Sequence, residues 1–177
     1  MAAIIGLGST TFTEKFKTLH FDNCEYLNFD ISSIKDFPKV IAKTKGLQGI
    51  NVTIPYKEDV IPYLDKLSKN AKKIGSVNTI IVSKNKKLKG YNTDFYGFKK
   101  ALKPLLKKHH KKALILGTGG ASKAVAYALK KLKIEFDFVS RDPSEYEIGY
   151  KEINADIFNE YQIIINTTPL GTFPNVS

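Results

Sequence analysis

The amino-acid sequence predicts an α/β protein with two lobes. Short apolar runs alternate with amphipathic segments along the chain, and this alternation implies parallel strands covered by helices. The length of 177 residues accommodates one large domain or two small ones. A lysine-rich cluster at residues 107–112 interrupts the alternation, so we expect the boundary between the lobes near it.

Apolar runs predict the strands of the first lobe, and amphipathic segments predict its helices. Strands are expected at residues 2–6, 25–29 and 47–54, and a hairpin at residues 77–82 and 87–91. Helices are expected at residues 13–20, 33–43, 57–64 and 65–74. Ser32 or Ser33 is the expected cap of the second helix.

The second lobe follows a predicted helix at residues 93–106. Strands are expected at residues 113–116, 135–140 and 162–166, with a helix at residues 119–132. Residues 142–159 are polar and only weakly helical in pattern. We therefore divide the chain into a first domain (1–92), a linking helix with a basic linker (93–111) and a second α/β domain (112–177).

The formal net charge of +11 comes almost entirely from lysine, because Arg141 is the only arginine. Nucleic-acid binders use arginine heavily for bidentate contacts with phosphate and guanine. The lysines here lie in scattered pairs and triplets, and no aromatic-basic motif accompanies them. We therefore expect no nucleic-acid partner, although a basic surface attracts small anionic ligands.

The same sequence argues for the cytoplasm. No apolar stretch reaches the ~18 residues of a membrane-spanning helix, and no basic leader precedes a long apolar run at the N-terminus. Cys24 is the only cysteine, so the chain forms no internal disulfide, which fits a reducing compartment. We expect a cytoplasmic protein with no membrane partner.

A glycine-rich turn is the strongest local signal in the second lobe. Gly117, Gly119 and Gly120 lie between a predicted buried strand and a predicted helix. Glycine lets the backbone approach a phosphate, and the helix N-terminus supplies free N–H groups and a partial positive charge. The turn predicts dinucleotide binding, although its spacing departs from G-x-G-x-x-G and a purely structural turn would use the same residues.

Ser140 and Arg141 follow the next predicted strand. Proteins specific for NAD place an acidic residue near this position, where it binds the ribose hydroxyls. A hydroxyl and a guanidinium instead suit a 2′-phosphate, because arginine offers planar, permanently charged donors. The pair predicts NADP rather than NAD; the alternative is a surface arginine that merely follows a strand.

Polar residues at strand ends mark a second candidate site in the first lobe. Thr53 follows a predicted strand, and Lys57 begins a predicted helix, where the helix dipole disfavours a cation. That placement suggests a role other than helix stability. Asn78 and Asp94 also lie at strand ends, although spacing alone makes Asp94 a helix cap.

Five motifs resemble one family. They are NVTIPYK (51–57), GSVNT (75–79), GYNTDFYG (90–97), GTGGAS (117–122) and NTTPLG (166–171). In this order they are similar to the motifs of the shikimate dehydrogenases, an NADP-dependent shikimate/quinate dehydrogenase family. The resemblance implies an enzyme with an N-terminal substrate domain and a Rossmann-like NADP domain. Its expected reaction is the reversible reduction of 3-dehydroshikimate to shikimate with NADPH, in aromatic amino-acid biosynthesis.

The resemblance also implies roles for individual residues. Lys57 and Asp94 would be catalytic and would contact the substrate, and Thr53 and Asn78 would hydrogen-bond its hydroxyls. No metal is expected. Together with the turn and strand-end arguments, the resemblance assigns the cofactor to Gly117, Thr118, Gly119, Gly120, Ala121, Ser140, Arg141 and Thr167.

The proposed pair is chemically coherent. Hydride transfer to a ketone needs a proton or a positive charge at the developing alkoxide, and a lysine ammonium supplies either. A neighbouring carboxylate orients the lysine and favours its charged form. Whether Lys57 transfers the proton or only orients the substrate stays open.

The sequence departs from the family pattern at both ends. Residues 6–12 (GLGSTTF) lack the family's Ser-x-Ser pair, and the chain ends at Ser177, after the third predicted strand of the second lobe. We therefore expect an incomplete cofactor domain. The alternatives are a quinate/shikimate paralogue and a non-catalytic relative that binds substrate or nucleotide, and the expected assembly is a monomer or a homodimer.

Overall fold

The computed structural model describes residues 2–5 and 11–171, and it forms two compact units, Met1–Thr93 and Asp94–Ser177. Each unit contains one sheet with helices packed on it, so the predicted α/β class is confirmed. The helix predicted to link the lobes lies in the second unit. Within the described residues, none of the helices is long and apolar enough to cross a membrane.

The first unit is built on a six-stranded mixed sheet with the order β2-β1-β3-β5-β6-β4. Its strands are β1 (Ala2–Ile5), β2 (Tyr26–Phe29), β3 (Gly49–Val52), β4 (Lys66–Leu67), β5 (Thr79–Val82) and β6 (Leu88–Tyr91). Its helices are α1 (Thr11–Thr18), α2 (Phe37–Lys43) and α3 (Lys69–Ile74). Strand β1 pairs in parallel with β2 and β3, whereas β5 runs antiparallel to both β3 and β6. The predicted hairpin is therefore confirmed, but parallel pairing does not extend across the whole sheet.

The second unit is built on a four-stranded, entirely parallel sheet with the order β10-β7-β8-β9. Its strands are β7 (Lys112–Leu116), β8 (Glu135–Ser140), β9 (Glu147–Gly149) and β10 (Ile163–Asn166). Its helices are α4 (Asp94–Leu102), α5 (Gly120–Leu132) and α6 (Ala155–Glu160). The expectation of three strands was wrong, because β9 lies inside the polar segment 142–159 and pairs with β8 through only three residues.

One predicted helix of the first unit was wrong, and a second was wrong in its first half. Residues 57–64 form successive turns and one short 3₁₀ helix, Ile61–Tyr63, around Pro62, which has no backbone N–H to donate. Residues 65–74 begin as β4, because the backbone N–H of Asp65 donates to Leu88 O and that of Ser68 to Gly90 O. Helix α3 begins only after Ser68, whose Oγ accepts a hydrogen bond from the N–H of Ala71.

The predicted cap of the second helix lies close to its expected place. Ser33 Oγ accepts a hydrogen bond from the N–H of Lys35 at the start of a 3₁₀ helix, Ile34–Asp36. Helix α2 follows directly, so the predicted single helix is two short ones in series. The cap at Ser33 is confirmed, and the helix type changes after one turn.

The core of the second unit explains the continuous apolar run of β7. Ala113 and Ile115 face the layer that contains α5, whereas Leu114 faces Val139 and Tyr161 on the other side of the sheet. A strand covered on both faces has no solvent side, so the residues of β7 after Lys112 are all apolar. Helix α4 also packs on α5, where the rings of Phe95 and Tyr127 meet edge to face with centroids 5.1 Å apart.

Candidate active site

One edge of the first sheet collects the polar residues predicted for substrate binding. Thr53 follows the carboxyl end of β3, and Asn78 precedes β5, which runs in the opposite direction. The two are tied by a backbone hydrogen bond from Val52 N to Asn78 O, 2.8 Å long. The antiparallel pairing of β3 and β5 therefore brings Thr53 and Asn78 to the same edge.

Hydrogen bonds to Thr93, which lies two residues after the end of β6, fix the side chain of Asn78. Its Oδ1 accepts a hydrogen bond from Thr93 N at 2.9 Å, and its Nδ2 donates to Thr93 Oγ1 at 2.9 Å. Thr79 Oγ1 also donates to Asn78 Oδ1, at 3.1 Å. These bonds orient the amide at the edge and pin the backbone immediately before Asp94.

Lys57 lies in a turn and not at the start of a helix, so the argument from an unfavourable helix dipole does not apply to it. Its side chain is half-buried. Its carbonyl oxygen accepts a hydrogen bond from Val77 N at 2.7 Å, which ties the turn to the segment that leads into Asn78. Lys57 is therefore anchored through its backbone to the edge that carries Asn78.

Asp94 is half-buried and is the first residue of α4, in the second unit. A carboxylate in the first helical turn complements the positive end of the helix dipole. Asp94 lies inside the helix and not before it, so the predicted cap is wrong by one position, although a carboxylate there still stabilises the helix. This placement does not test the catalytic role that the resemblance implied.

The glycine-rich turn in the second unit owes its shape to Gly117. This residue has a φ of +101°, and a Cβ added to it would come within 3.0 Å of Thr168 Cγ2 and 3.1 Å of Thr167 Oγ1. Only glycine fits both the conformation and the close approach. The turn is thereby packed against the residues that follow β10.

Gly119 caps the N-terminus of α5 and is open on its outer side. A Cβ added to Gly119 would meet no atom of the described residues within 4 Å. Ser122 Oγ donates to Gly119 O at 2.6 Å, which fixes the first turn of the 13-residue helix. The turn therefore presents Thr118, Gly120 and Ala121 around an accessible helix N-terminus, the feature that binds phosphates.

The other predicted cofactor residues lie at the same carboxyl edge, because all four strands run in parallel. Ser140 ends β8, and its Oγ donates to Asp142 O at 3.1 Å. Arg141 is exposed and forms no ion pair within the part of the chain that the structure describes. Thr167 Oγ1 donates to Leu116 O at 2.6 Å, so this hydroxyl joins the ends of β10 and β7.

Two further expectations concern the N-terminal segment and metal binding. Residues 6–10, which include most of the segment lacking the Ser-x-Ser pair, lie outside the described residues. No group of three His, Cys, Asp or Glu side chains within 11–171 is arranged to hold a metal ion.

Sequence reasoning assigned no role to Asn92, although it is one of the few buried polar residues at this edge. Asn92 is 5% exposed, and its Nδ2 donates to Ser76 O at 3.1 Å. The available signal was an amide directly after strand β6. The sequence does not show what that amide binds, because its partner comes from the neighbouring segment of the sheet.

Comparison with known proteins places this geometry in a family. Residues 8–80 match the family model described as the shikimate dehydrogenase substrate binding domain. The crystal structure of shikimate dehydrogenase 1 from Peptoclostridium difficile superposes with a TM-score of 0.79 at 37% identity, covering 99% of this chain and 69% of that one. The chain belongs to the shikimate dehydrogenase family.

Other members of the shikimate dehydrogenase family agree. The shikimate dehydrogenase (NADP(+)) of Caldicellulosiruptor saccharolyticus is 36% identical over 160 residues, which are 83% of this chain and 57% of that protein. The Thermus thermophilus enzyme, solved in complex with NADP(H) and shikimate, superposes with a TM-score of 0.75 at 28% identity, covering 96% of this chain and 69% of that one. The chain thus spans 57% of the length of the curated Caldicellulosiruptor saccharolyticus relative, and 61% and 63% of the length of two others.

Proposed function

We propose that this chain carries the substrate domain and part of the cofactor domain of an NADP-dependent shikimate dehydrogenase. The reaction is the reversible reduction of 3-dehydroshikimate to shikimate with NADPH. The observation that carries the proposal is that each family motif lies at the end of a strand or in a turn beside one, the positions at which open α/β sheets bind ligands. Membership of the family supplies the substrate, and Arg141 supplies the preference for NADP.

Lys57 and Asp94 form the catalytic set in this proposal. Reduction of the ketone places negative charge on its oxygen, and the Lys57 ammonium stabilises that charge or delivers the proton. Backbone anchoring of Lys57 at Val77 supports this assignment, because a positioned donor gains more than a mobile one. Asp94 supplies the carboxylate of the set, at the start of a helix that holds its backbone in place.

Thr53 and Asn78 form hydrogen bonds with the substrate hydroxyls in this proposal. A hydroxyl and an amide at one sheet edge offer the donors and acceptors that a polyhydroxylated ring requires. The bonds from Asn78 to Thr93 fix the orientation of the amide before substrate arrives. Such preorganisation lowers the entropic cost of binding.

The residues of the second unit fit the phosphates of NADP. The open N-terminus of α5, with Gly117, Thr118, Gly119, Gly120 and Ala121, would hold the pyrophosphate. Ser140 and Arg141 would hold the 2′-phosphate, and Thr167 would flank the cofactor. When bound, the nicotinamide supplies or accepts the hydride.

The decisive experiment measures shikimate-dependent reduction of NADP⁺ by the full-length protein, with quinate and NAD⁺ as alternative partners. We expect turnover with shikimate and NADP⁺. Turnover with quinate alone would favour the paralogue, and binding of NADP⁺ without turnover of either substrate would favour a non-catalytic relative.

The cofactor assignment has its own test in Arg141→Gln. Loss of charge-assisted hydrogen bonds to the 2′-phosphate should raise KM for NADP⁺ about 10- to 100-fold and leave KM for NAD⁺ unchanged. Lys151→Gln, which removes one exposed positive charge elsewhere in the same unit, is the matched control. An equal rise for both cofactors would contradict the assignment of the 2′-phosphate to Arg141.

A further inference from the structure

Two asparagine side chains continue the pairing of β5 and β6 beyond the end of the backbone ladder. The last paired residues are Thr79 and Tyr91, followed by a hydrogen bond from Asn78 N to Tyr91 O of 3.0 Å. Past this point the Asn92 amide binds Ser76 O, and the Asn78 amide binds Thr93. We call this arrangement, made of Ser76, Asn78, Asn92 and Thr93, the amide junction.

The centre of the junction is buried. Ser76 and Val77 are fully buried, and Asn92 is almost so. A buried carbonyl that loses its hydrogen bond keeps the cost of desolvation without compensation. Breaking the hydrogen bond from Asn92 to Ser76 O is therefore costly, and the bond keeps both residues in one relative orientation.

The peptide group between Ser76 and Val77 connects this bond to Lys57. Asn92 Nδ2 donates to the carbonyl oxygen of that peptide at 3.1 Å, and the N–H of the same peptide donates to Lys57 O at 2.7 Å. A peptide group is planar, so fixing its oxygen also fixes the direction of its N–H. The orientation set by Asn92 therefore passes through one rigid plane to the backbone of Lys57.

We propose that Asn92 is a positioning residue that orients Lys57 through the Ser76–Val77 peptide, without touching the substrate itself. This inference rests on the proposed function, because it assigns a consequence to the position of Lys57. A small displacement of a catalytic group is enough to slow a reaction strongly. Removing the Asn92 amide should slow the chemical step while cofactor binding, which uses the second unit, stays intact.

The test compares Asn92→Ala and Asn92→Leu with Asp65→Ala in the full-length protein. Leucine keeps most of the buried volume and removes only the amide, so it serves if the alanine variant folds poorly. Asp65 is the matched control, because its Oδ2 accepts a hydrogen bond from Leu88 N at 2.8 Å at the opposite end of β6. The Asp65→Ala change removes this bond, which joins β6 to the residue before β4, together with the ion pair of 2.7 Å between Lys87 Nζ and Asp65 Oδ1. It therefore tests whether any loss of side-chain bonding at β6 slows the reaction.

For the Asn92 variants we expect kcat with shikimate to fall about tenfold or more, with KM for NADP⁺ unchanged. For Asp65→Ala we expect reduced stability and an unchanged kcat per folded molecule. Hydrogen exchange adds a readout that needs no turnover: the Val77 amide should lose protection in the Asn92 variants and keep it in Asp65→Ala.

The outcomes separate the two proposals. A wild-type protein that never turns over shikimate contradicts the proposed function, whatever the exchange of Val77. An active wild type whose kcat is unchanged by Asn92→Leu overturns the positioning role. Unchanged protection of Val77 in both Asn92 variants overturns it as well, because the peptide would then be held by other contacts.

Discussion

The edges of the two sheets that carry the candidate site residues are held together by different means. In the first unit the edge is mixed in strand direction, and the amide side chains of Asn78 and Asn92 bridge the strands where the ladder ends. In the second unit all strands run in parallel, and the edge is closed by a glycine with positive φ and by the hydroxyl of Thr167.

The difference matches the ligands proposed for each edge. A ring with several hydroxyls is recognised by side chains with directional donors and acceptors, and these need support from other side chains. A pyrophosphate is recognised by backbone N–H groups at a helix N-terminus, so the turn needs close backbone approach and few side chains. Side-chain changes should therefore act mainly on catalysis in the first unit, and backbone changes mainly on cofactor binding in the second.

The largest expected effect is at the first edge. Lys57→Met should lower kcat with shikimate about 10²- to 10⁴-fold, because the variant cannot stabilise or protonate the developing alkoxide. Binding of NADP⁺, followed by fluorescence titration, should be unchanged. Lys84→Met, in the exposed turn between β5 and β6, is the control and should retain full activity. A Lys57→Met enzyme with near-normal kcat would remove Lys57 from the catalytic set.

At the second edge the two glycines should behave differently. Gly117→Ala should lower the free energy of unfolding by about 1–3 kcal/mol, because alanine at a φ of +101° is strained and its Cβ crowds Thr167 and Thr168. Gly119→Ala has a φ of −78° and open space, so it should lose only the smaller preference of a helix N-cap for glycine over alanine, while binding NADP⁺ more weakly. Urea unfolding and cofactor titration check both, and equal stability of the two variants would refute the contrast.

The end of the second sheet at which its strands begin should contribute to stability and not to cofactor binding. Lys112 Nζ pairs with Glu160 Oε1, lies 3.4 Å from Asp137 Oδ2 and sits over the ring of Tyr161. Lys112→Met should therefore lower the free energy of unfolding by about 1–2 kcal/mol at neutral pH, with NADP⁺ binding unchanged. A loss of cofactor affinity equal to that of Gly119→Ala would show that the two edges are not independent.

This stabilisation should have a defined pH dependence. Hydrogen bonding to Glu160 and then to Tyr161 raises the pKa of Lys112, and burial raises the pKa of Tyr161. The folded state therefore favours the protonated form of both groups, so their contribution is complete below pH 10.0 and is lost as the pH rises through the folded pKa values. Unfolding curves of the wild type should be level up to about pH 10 and should fall as the pH rises further toward 12. A stability that stays level to pH 12 would contradict this.

The smallest expected effect is a gain in stability on substitution of Ser76. Ser76 is fully buried, and its Oγ has no hydrogen-bond partner among the residues that the structure describes. Ser76→Ala should raise the free energy of unfolding by about 1 kcal/mol, since it removes a desolvated hydroxyl and leaves the carbonyl bonded to Asn92. Ser68→Ala, which removes the cap of α3, should lower it by about the same amount. A loss of stability in Ser76→Ala would mean that the hydroxyl is satisfied in the folded protein.

Local patterns predicted the second unit better than the first. The run from β7 through the glycine turn into α5 was predicted within one residue, because a buried parallel strand and an amphipathic helix each carry a strong periodic signal. Residues 57–64 have apolar side chains at a helical spacing, yet Pro62 and the packing of Val60 into the core favour turns. Strand β9 was missed because three residues paired on one side carry almost no pattern.

The sequence by itself determined the α/β class, the order of most strands and helices, the glycine turn and the family motifs. These depend on periodicity and on residue types close together along the chain. Only the tertiary structure decided that β5 runs antiparallel to β3, that Lys57 lies in a turn and that Asn92 binds Ser76. Each of these depends on which backbone groups lie across the sheet, and an asparagine has the same local sequence signal whether its amide faces water or a buried carbonyl.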